Sequence, residues 1–203
     1  MTTYGCGRVI HVLGLKVDGS LPQLKAVNST ALDVWDANQR RWVDALSLDG
    51  VDVGFERDFA DHPVRLPILI ERLCRRGVEG GDPVKVHALF RTFFSALPQD
   101  AYAQLPTPAA AAAIIRAAGG VALLAHPGPL REIGVLAELL EAFDGLEALY
   151  MPYPEAQREE LRMLAAQHGK LYSCGTDYHG YFTGAYRRPT AEAPADLLER
   201  LGL

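Results

Sequence analysis

From Val121 onward the chain alternates short apolar runs with helical segments, and this rhythm restricts the fold more than any other feature. Residues 121–125 read as a strand and 131–143 as a helix ended by Asp144-Gly145. Residues 146–150 read as a strand, 154–168 as a helix and 170–174 as a strand, with a short closing helix over 194–201. Parallel strands need a long connection to return the chain to the same end of the sheet, usually a helix. The alternation therefore predicts a parallel α/β sheet, whose active site would form at the carboxyl ends of the strands.

The N-terminal half has a different texture. Residues 8–17, R-V-I-H-V-L-G-L-K-V, are β-branched and apolar, and Val9, His11, Leu13 and Leu15 share one face by the two-residue period. L21-P-Q-L opens a helix to about Leu48. Its Leu24, Val27, Ala31, Val34, Trp35, Trp42 and Leu46 recur at helical spacing, and Gly50 follows its end. Further helices are expected over 64–76, stopped by Gly77, and over 84–96. Pro98, Pro106 and Pro108 mark a loop. Thr107-Pro108 reads as an N-cap and first helical residue of a segment running to Ala118. The chain thus divides into α/β portions, residues 1–18 and 107–203, and a helical portion, residues 19–106, that reads as inserted between strands.

Composition narrows the class of function. A length of 203 residues, 49% hydrophobic and 22% charged, fits a globular domain with a real core. The net charge of -5 argues against a broad face for duplex nucleic acid. No apolar run approaches the ~18–20 residues of a membrane span. The N-terminus, M-T-T-Y-G-C-G-R, does not read as a signal peptide. Cys6, Cys74 and Cys174 have neither metal-type nor disulfide-type spacing, which fits a reducing, cytoplasmic setting.

Chemistry-bearing residues gather where strands end. C174-G-T-D-Y-H-G180 places Asp177 and His179 on a tight loop after a strand, and V121-A-L-L-A-H-P-G128 places His126 after another. Imidazole and carboxylate suit divalent first-row metals. Each residue also has a plainer reading. Asp and Gly favour solvated turns. His126 could be a core histidine bonded to a carbonyl, and His11, mid-strand on an apolar face, could be a packed one. His11 gains weight as a ligand where its strand neighbours those carrying His126 and Asp177. His62, His87 and His168 read as surface or structural.

Together these segments resemble the PHP (polymerase and histidinol phosphatase) family. The likeness is to its small bacterial branch of metal-dependent nucleotide phosphoesterases, the TrpH/YciV type. The residues that carry it are R8-V-I-H-V-L-G14, A117-A-G-G-V-A-L-L-A-H-P-G128, D144-G-L-E-A-L-Y150 and C174-G-T-D-Y-H-G180, in that order. The resemblance implies an irregular (β/α)7 barrel with an inserted small helical domain and divalent ions in its mouth. Those ions would be Mn2+, Zn2+, Fe2+ or Mg2+. It implies His11, His126, Asp177 and His179 as metal ligands. Arg65 and Arg91 are candidates for phosphate contacts, since guanidinium matches phosphate geometry.

The chain also departs from the family pattern. The opening D-L-H-x-H, S-D-G, T-D-H-D and G-x-E segments are not found, so the expected barrel is incomplete, as in a member lacking its N-terminal third. R65-L-P67 and A96-L-P-Q-D-A-Y102 stand where the family carries R-x-H and G-K-P. Four ligands cannot complete several sites of about four to six ligands each, so a single metal site is expected. An open sheet edge would favour self-association. The implied activity is hydrolysis of phosphomonoesters of nucleotides, AMP-like or nucleoside 3′,5′-bisphosphate, or of short oligonucleotide ends, compromised in this form. The alternative is a non-catalytic remnant that binds metal or nucleotide.

Overall fold

The computed structural model describes residues 1–48, 50, 66–132, 134–177 and 193–203. Two compact units emerge: the first comprises Met1–Asn28, Leu105–Asp177 and the C-terminal segment, the second the described part of Ser29–Gln104.

The first unit is a mixed α/β structure on one five-stranded sheet in the order β1-β2-β3-β4-β5. The strands are β1 (Thr2–Gly5), β2 (Arg8–Leu15), β3 (Val121–Leu124), β4 (Gly145–Tyr150) and β5 (Leu171–Gly175). β3, β4 and β5 are parallel, as the alternation requires, whereas β2 runs antiparallel to both β1 and β3. β1 is an addition to the four strands read from sequence. It returns through a two-residue turn in which Cys6 (φ 51°) and Gly7 (φ 72°) both take positive φ, the hairpin geometry that matches strand twist. Asn or Asp, the usual first residue of that turn, is replaced by Cys6, which hides the signal.

One face of the sheet packs under helices. Ile10, Val12, Ala122, Leu124, Leu146 and Ala148 form a buried cluster with Ala111, Ala112 and Ile115 of α4 (Pro108–Ala117). Leu161 and Ala165 of α7 (Glu155–Gln167) complete it. Each fully buried Leu or Ile of this kind contributes roughly 1.5–3 kcal/mol. Thr107 caps α4 as expected, its side chain accepting from Ala110 N at 3.3 Å with Pro108 behind it. The single helix expected over 131–143 is instead two short ones, α5 (Gly128–Glu132) and α6 (Leu136–Leu140). Gly134 lies between them at φ 74°. Glycine has the least to lose in that conformation, and its β-branched neighbour Val135 is a weak helix former.

The opposite face is apolar at one end and polar at the other. Val121 and Leu123 pack with Leu197 and Leu201 of α8 (Ala195–Leu201), with Leu13, Leu15 and Leu171 alongside. By the two-residue period His11 shares this face with Leu13, and Glu147 shares it with Gly145, which lies beside Leu123.

The second unit is helical. It holds most of α1 (Pro22–Leu48), α2 (Leu66–Arg75) and α3 (Pro83–Ala96). Trp42, Leu46, Leu69, Ile70, Leu73, Phe90 and Phe94 form its core. Trp35 stacks on Phe94 with ring centroids 5.2 Å apart. Asp82 caps α3 by accepting from Val84 N at 2.9 Å. Among the described residues, no helix is long and apolar enough to cross a membrane.

Candidate active site

The site is assembled in the first unit, where the middle of β2 and of β4 meet the residues that follow β3 and β5. β2 and β3 pair with Val12 opposite Leu124, and Ala125 N donates to His11 O at 3.1 Å. That register carries residue 126 onto His11 across 115 positions of sequence. His11 Nδ1 and His126 Nε2 are 3.1 Å apart, with the rings edge-on at 81°. One nitrogen donates and the other accepts when both rings are neutral. Two doubly protonated rings would bring two donors and two charges together.

His126 has φ 30°, a left-handed conformation that costs a non-glycine residue roughly 1–2 kcal/mol. Its own N–H offsets this cost. It donates to Glu147 Oε2 at 2.8 Å, and a hydrogen bond to a charged group contributes about 1.5–3 kcal/mol. Glu147 lies in mid-β4 and is 5% exposed. Burial raises its carboxyl above the ordinary 4.5. The bond from His126 pulls it back, and the nearby Asp177 pushes it up again. Glu147 Oε1 occupies the space beside Gly175, where a Cβ would lie 1.9 Å from that oxygen. Beside Glu147 in the ladder is Ser173, whose buried hydroxyl has no hydrogen-bond partner among the described residues. The polar end of this face thus holds buried oxygen atoms.

Asp177, two residues beyond β5 at φ 49°, is held by Tyr150, whose hydroxyl donates to Asp177 Oδ2 at 3.0 Å. Tyr150 lies at the end of β4. Its ring is 5.7 Å from that of His126 and 4.5 Å from that of Tyr153. Burial is the first cause that moves both phenols upward, Tyr153 to about 12, so both stay protonated at neutral pH. Tyr153 accepts from Gly128 N at 2.7 Å. Added at Gly128, a Cβ would meet that hydroxyl at 2.5 Å, which explains the glycine of A-H-P-G.

Of the four ligands implied by sequence, the structure brings His11 and His126 into contact and links Asp177 to His126 through Tyr150. His179 lies outside the described residues, as do Arg65 and His62. Arg91 is an exposed residue of α3 in the second unit. Among the described residues, no three His, Cys, Asp or Glu groups converge as a complete metal shell. The pair itself fits a metal. Two imidazole nitrogens at ~2.0–2.1 Å from one tetrahedral ion would lie ~3.3 Å apart, close to the observed 3.1 Å. Glu147, Tyr150, Tyr153 and Ser173 were not among the sequence candidates. The available signal was a lone acid inside the apolar run G-L-E-A-L-Y, since a buried carboxylate needs partners to stay.

No family model matches the chain. Among curated proteins it is similar to the phosphoribosyl 1,2-cyclic phosphate 1,2-diphosphodiesterase of Eggerthella lenta. The two are 28% identical over an alignment of 182 residues that covers 87% of this chain and 68% of the relative. Among solved structures it is similar to a Bifidobacterium adolescentis protein provisionally assigned as a metal-dependent phosphoesterase. The TM-score is 0.76 at 21% identity, covering 98% of this chain and 73% of that one. An amidohydrolase from Chromobacterium violaceum, with bound sulfate and no metal, gives a TM-score of 0.75 at 20% identity, covering 99% and 74%. At such identities the structural likeness concerns the fold.

Proposed function

We propose that this chain is a metal-dependent phosphoesterase acting on a phosphorylated small molecule. The observation that carries the reading is the His11–His126 pair, 3.1 Å apart where mid-β2 meets the end of β3, in a chain similar over 87% of its length to a named cyclic-phosphate diphosphodiesterase. His11 and His126 would hold a divalent ion, with Asp177, bonded to Tyr150, and His179, two residues further along the sequence, as further candidate donors. When bound, such an ion supplies Lewis acidity toward a phosphoryl oxygen and a water acidified from ~15.7 toward ~7. Tyr150 keeps the Asp177 carboxylate oriented and, because it stays protonated, remains a donor at neutral pH. The half-buried Tyr150 and Tyr153 pack beside His126, with Tyr150 5.7 Å from the His126 ring and 4.5 Å from the Tyr153 ring.

The substrate class follows two leads. The relative's name points to a cyclic phosphodiester of a phosphorylated ribose. The PHP resemblance points to nucleotide phosphomonoesters, including nucleoside 3′,5′-bisphosphates. Both are sugar phosphates. The test is a panel of a ribose 1,2-cyclic phosphate, a nucleoside 3′,5′-bisphosphate and AMP, each with Mn2+ and with chelator. Turnover of at least one that is lost with chelator and in His126→Ala supports the proposal. No turnover on any of them with Mn2+ favours the non-catalytic alternative.

A further inference from the structure

Three strands meet at one carboxylate. Glu147 projects from β4. Its Oε2 takes the main-chain N–H of His126 beyond β3 at 2.8 Å. Its Oε1 fills the space that any side chain at Gly175, the last residue of β5, would need. His126 meanwhile keeps φ 30°, a conformation that persists in a non-glycine residue where the surroundings over-determine it. The backbone at residue 126 sets the Cα–Cβ direction, and that direction delivers Nε2 to His11.

We propose that Glu147 is the positioning residue for His126: its buried carboxylate locks the left-handed backbone that aims the imidazole at His11 and ties β4 to the ends of β3 and β5. The inference rests on His126 being a metal ligand. Glu147 acts through that residue and is itself no ligand. It requires an acceptor oxygen at a fixed reach, not a negative charge. Glu147→Gln keeps such an oxygen, whereas Glu147→Asp keeps the charge and withdraws the oxygen by one methylene.

The test is Co2+ titration of the full chain, followed by visible absorption, which reports the ligand set without any turnover. His126→Ala is the reference and a thermal melt accompanies every variant. Glu147→Asp should weaken Co2+ binding about 10–100-fold, the usual effect of losing a group that orients a ligand. Glu147→Gln should stay within about 3-fold of wild type, with an unchanged spectrum, on the same reasoning. Wild-type affinity in Glu147→Asp overturns the inference. An equal loss in both variants also overturns it, because charge or direct ligation would then be what matters. Should Glu147→Asp not fold, Gly175→Ala keeps Glu147 but drives a Cβ onto its Oε1. It should lose affinity likewise, and wild-type binding there overturns the inference. If His126→Ala binds Co2+ as wild type does, or wild type binds none, the metal reading itself fails. A loss in His126→Ala with none in Glu147→Asp removes Glu147 alone.

Discussion

Gly145→Ala should damage the sheet that carries the site, for a reason visible in the backbone. Gly145 opens β4 opposite Leu171 of β5, and Leu171 N donates to Asp144 O at 2.9 Å. A Cβ at residue 145 would lie 2.1 Å from Leu171 O and 2.6 Å from Leu171 C, where ordinary contact begins at 3.4 Å. The shortfall is roughly 1.3 Å against main chain, which has no rotamer to yield. The two strands must part locally. Overpacking costs about 1–3 kcal/mol, and a buried backbone group left unpaired costs about 1–3 kcal/mol more. Taken together, about 2–6 kcal/mol is expected, or ~4–24 °C in melting temperature at ~2–4 °C per kcal/mol for a chain of this size. Gly169→Ala is the control. It meets nothing within 4 Å and carries only the penalty of φ +60°, about 1–2 kcal/mol. Thermal melts of the two variants followed by circular dichroism decide the matter. A Gly145→Ala protein that melts within 2 °C of wild type, or above Gly169→Ala, would refute the steric reasoning.

Three further outcomes are expected. In metal-free protein, Glu147→Gln should melt at or above wild type at pH 8. The buried Glu147 holds its proton to a higher pH than the unfolded carboxyl at 4.5, so the folded state binds more protons in that window and stability falls as pH rises through it. The advantage should vanish below pH 4.5, and an advantage that grows in acid contradicts the assignment. Tyr150→Phe removes the donor to Asp177. It should lower Mn2+ affinity up to about 10-fold by calorimetric titration, and unchanged affinity would show that Asp177 needs no such support. Thr107→Ala removes the cap of α4 and should cost about 0.5–2 kcal/mol in urea unfolding. A neutral result would mean that Pro108 and tertiary packing alone set that helix start.

Much of the fold was legible because local rules and tertiary demands agree. The strand read over 121–125, the helix read over 154–168 and the Thr107-Pro108 start each follow from period or capping, and each is present, the first two as Val121–Leu124 and Glu155–Gln167. β1 was not legible, since four residues and a Cys-Gly turn give too little pattern. The break at Gly134 was hidden by leucines at helical spacing on both sides. The site was legible as residue types at strand ends, but not as geometry. His11 meets His126 through the antiparallel β2–β3 register, which periodicity does not reveal. Glu147 is part of a strand, and its contacts across β3 and β5 come from a pairing that the local sequence does not encode.

The most direct measurement is the divalent metal content per chain by plasma mass spectrometry, on wild type and His126→Ala purified without chelator. At least one bound ion per wild-type chain, lost in the variant, is the expected result. No ion in wild type after incubation with Mn2+ or Zn2+, or the same content in both proteins, would contradict the metal-dependent reading of the His11–His126 site.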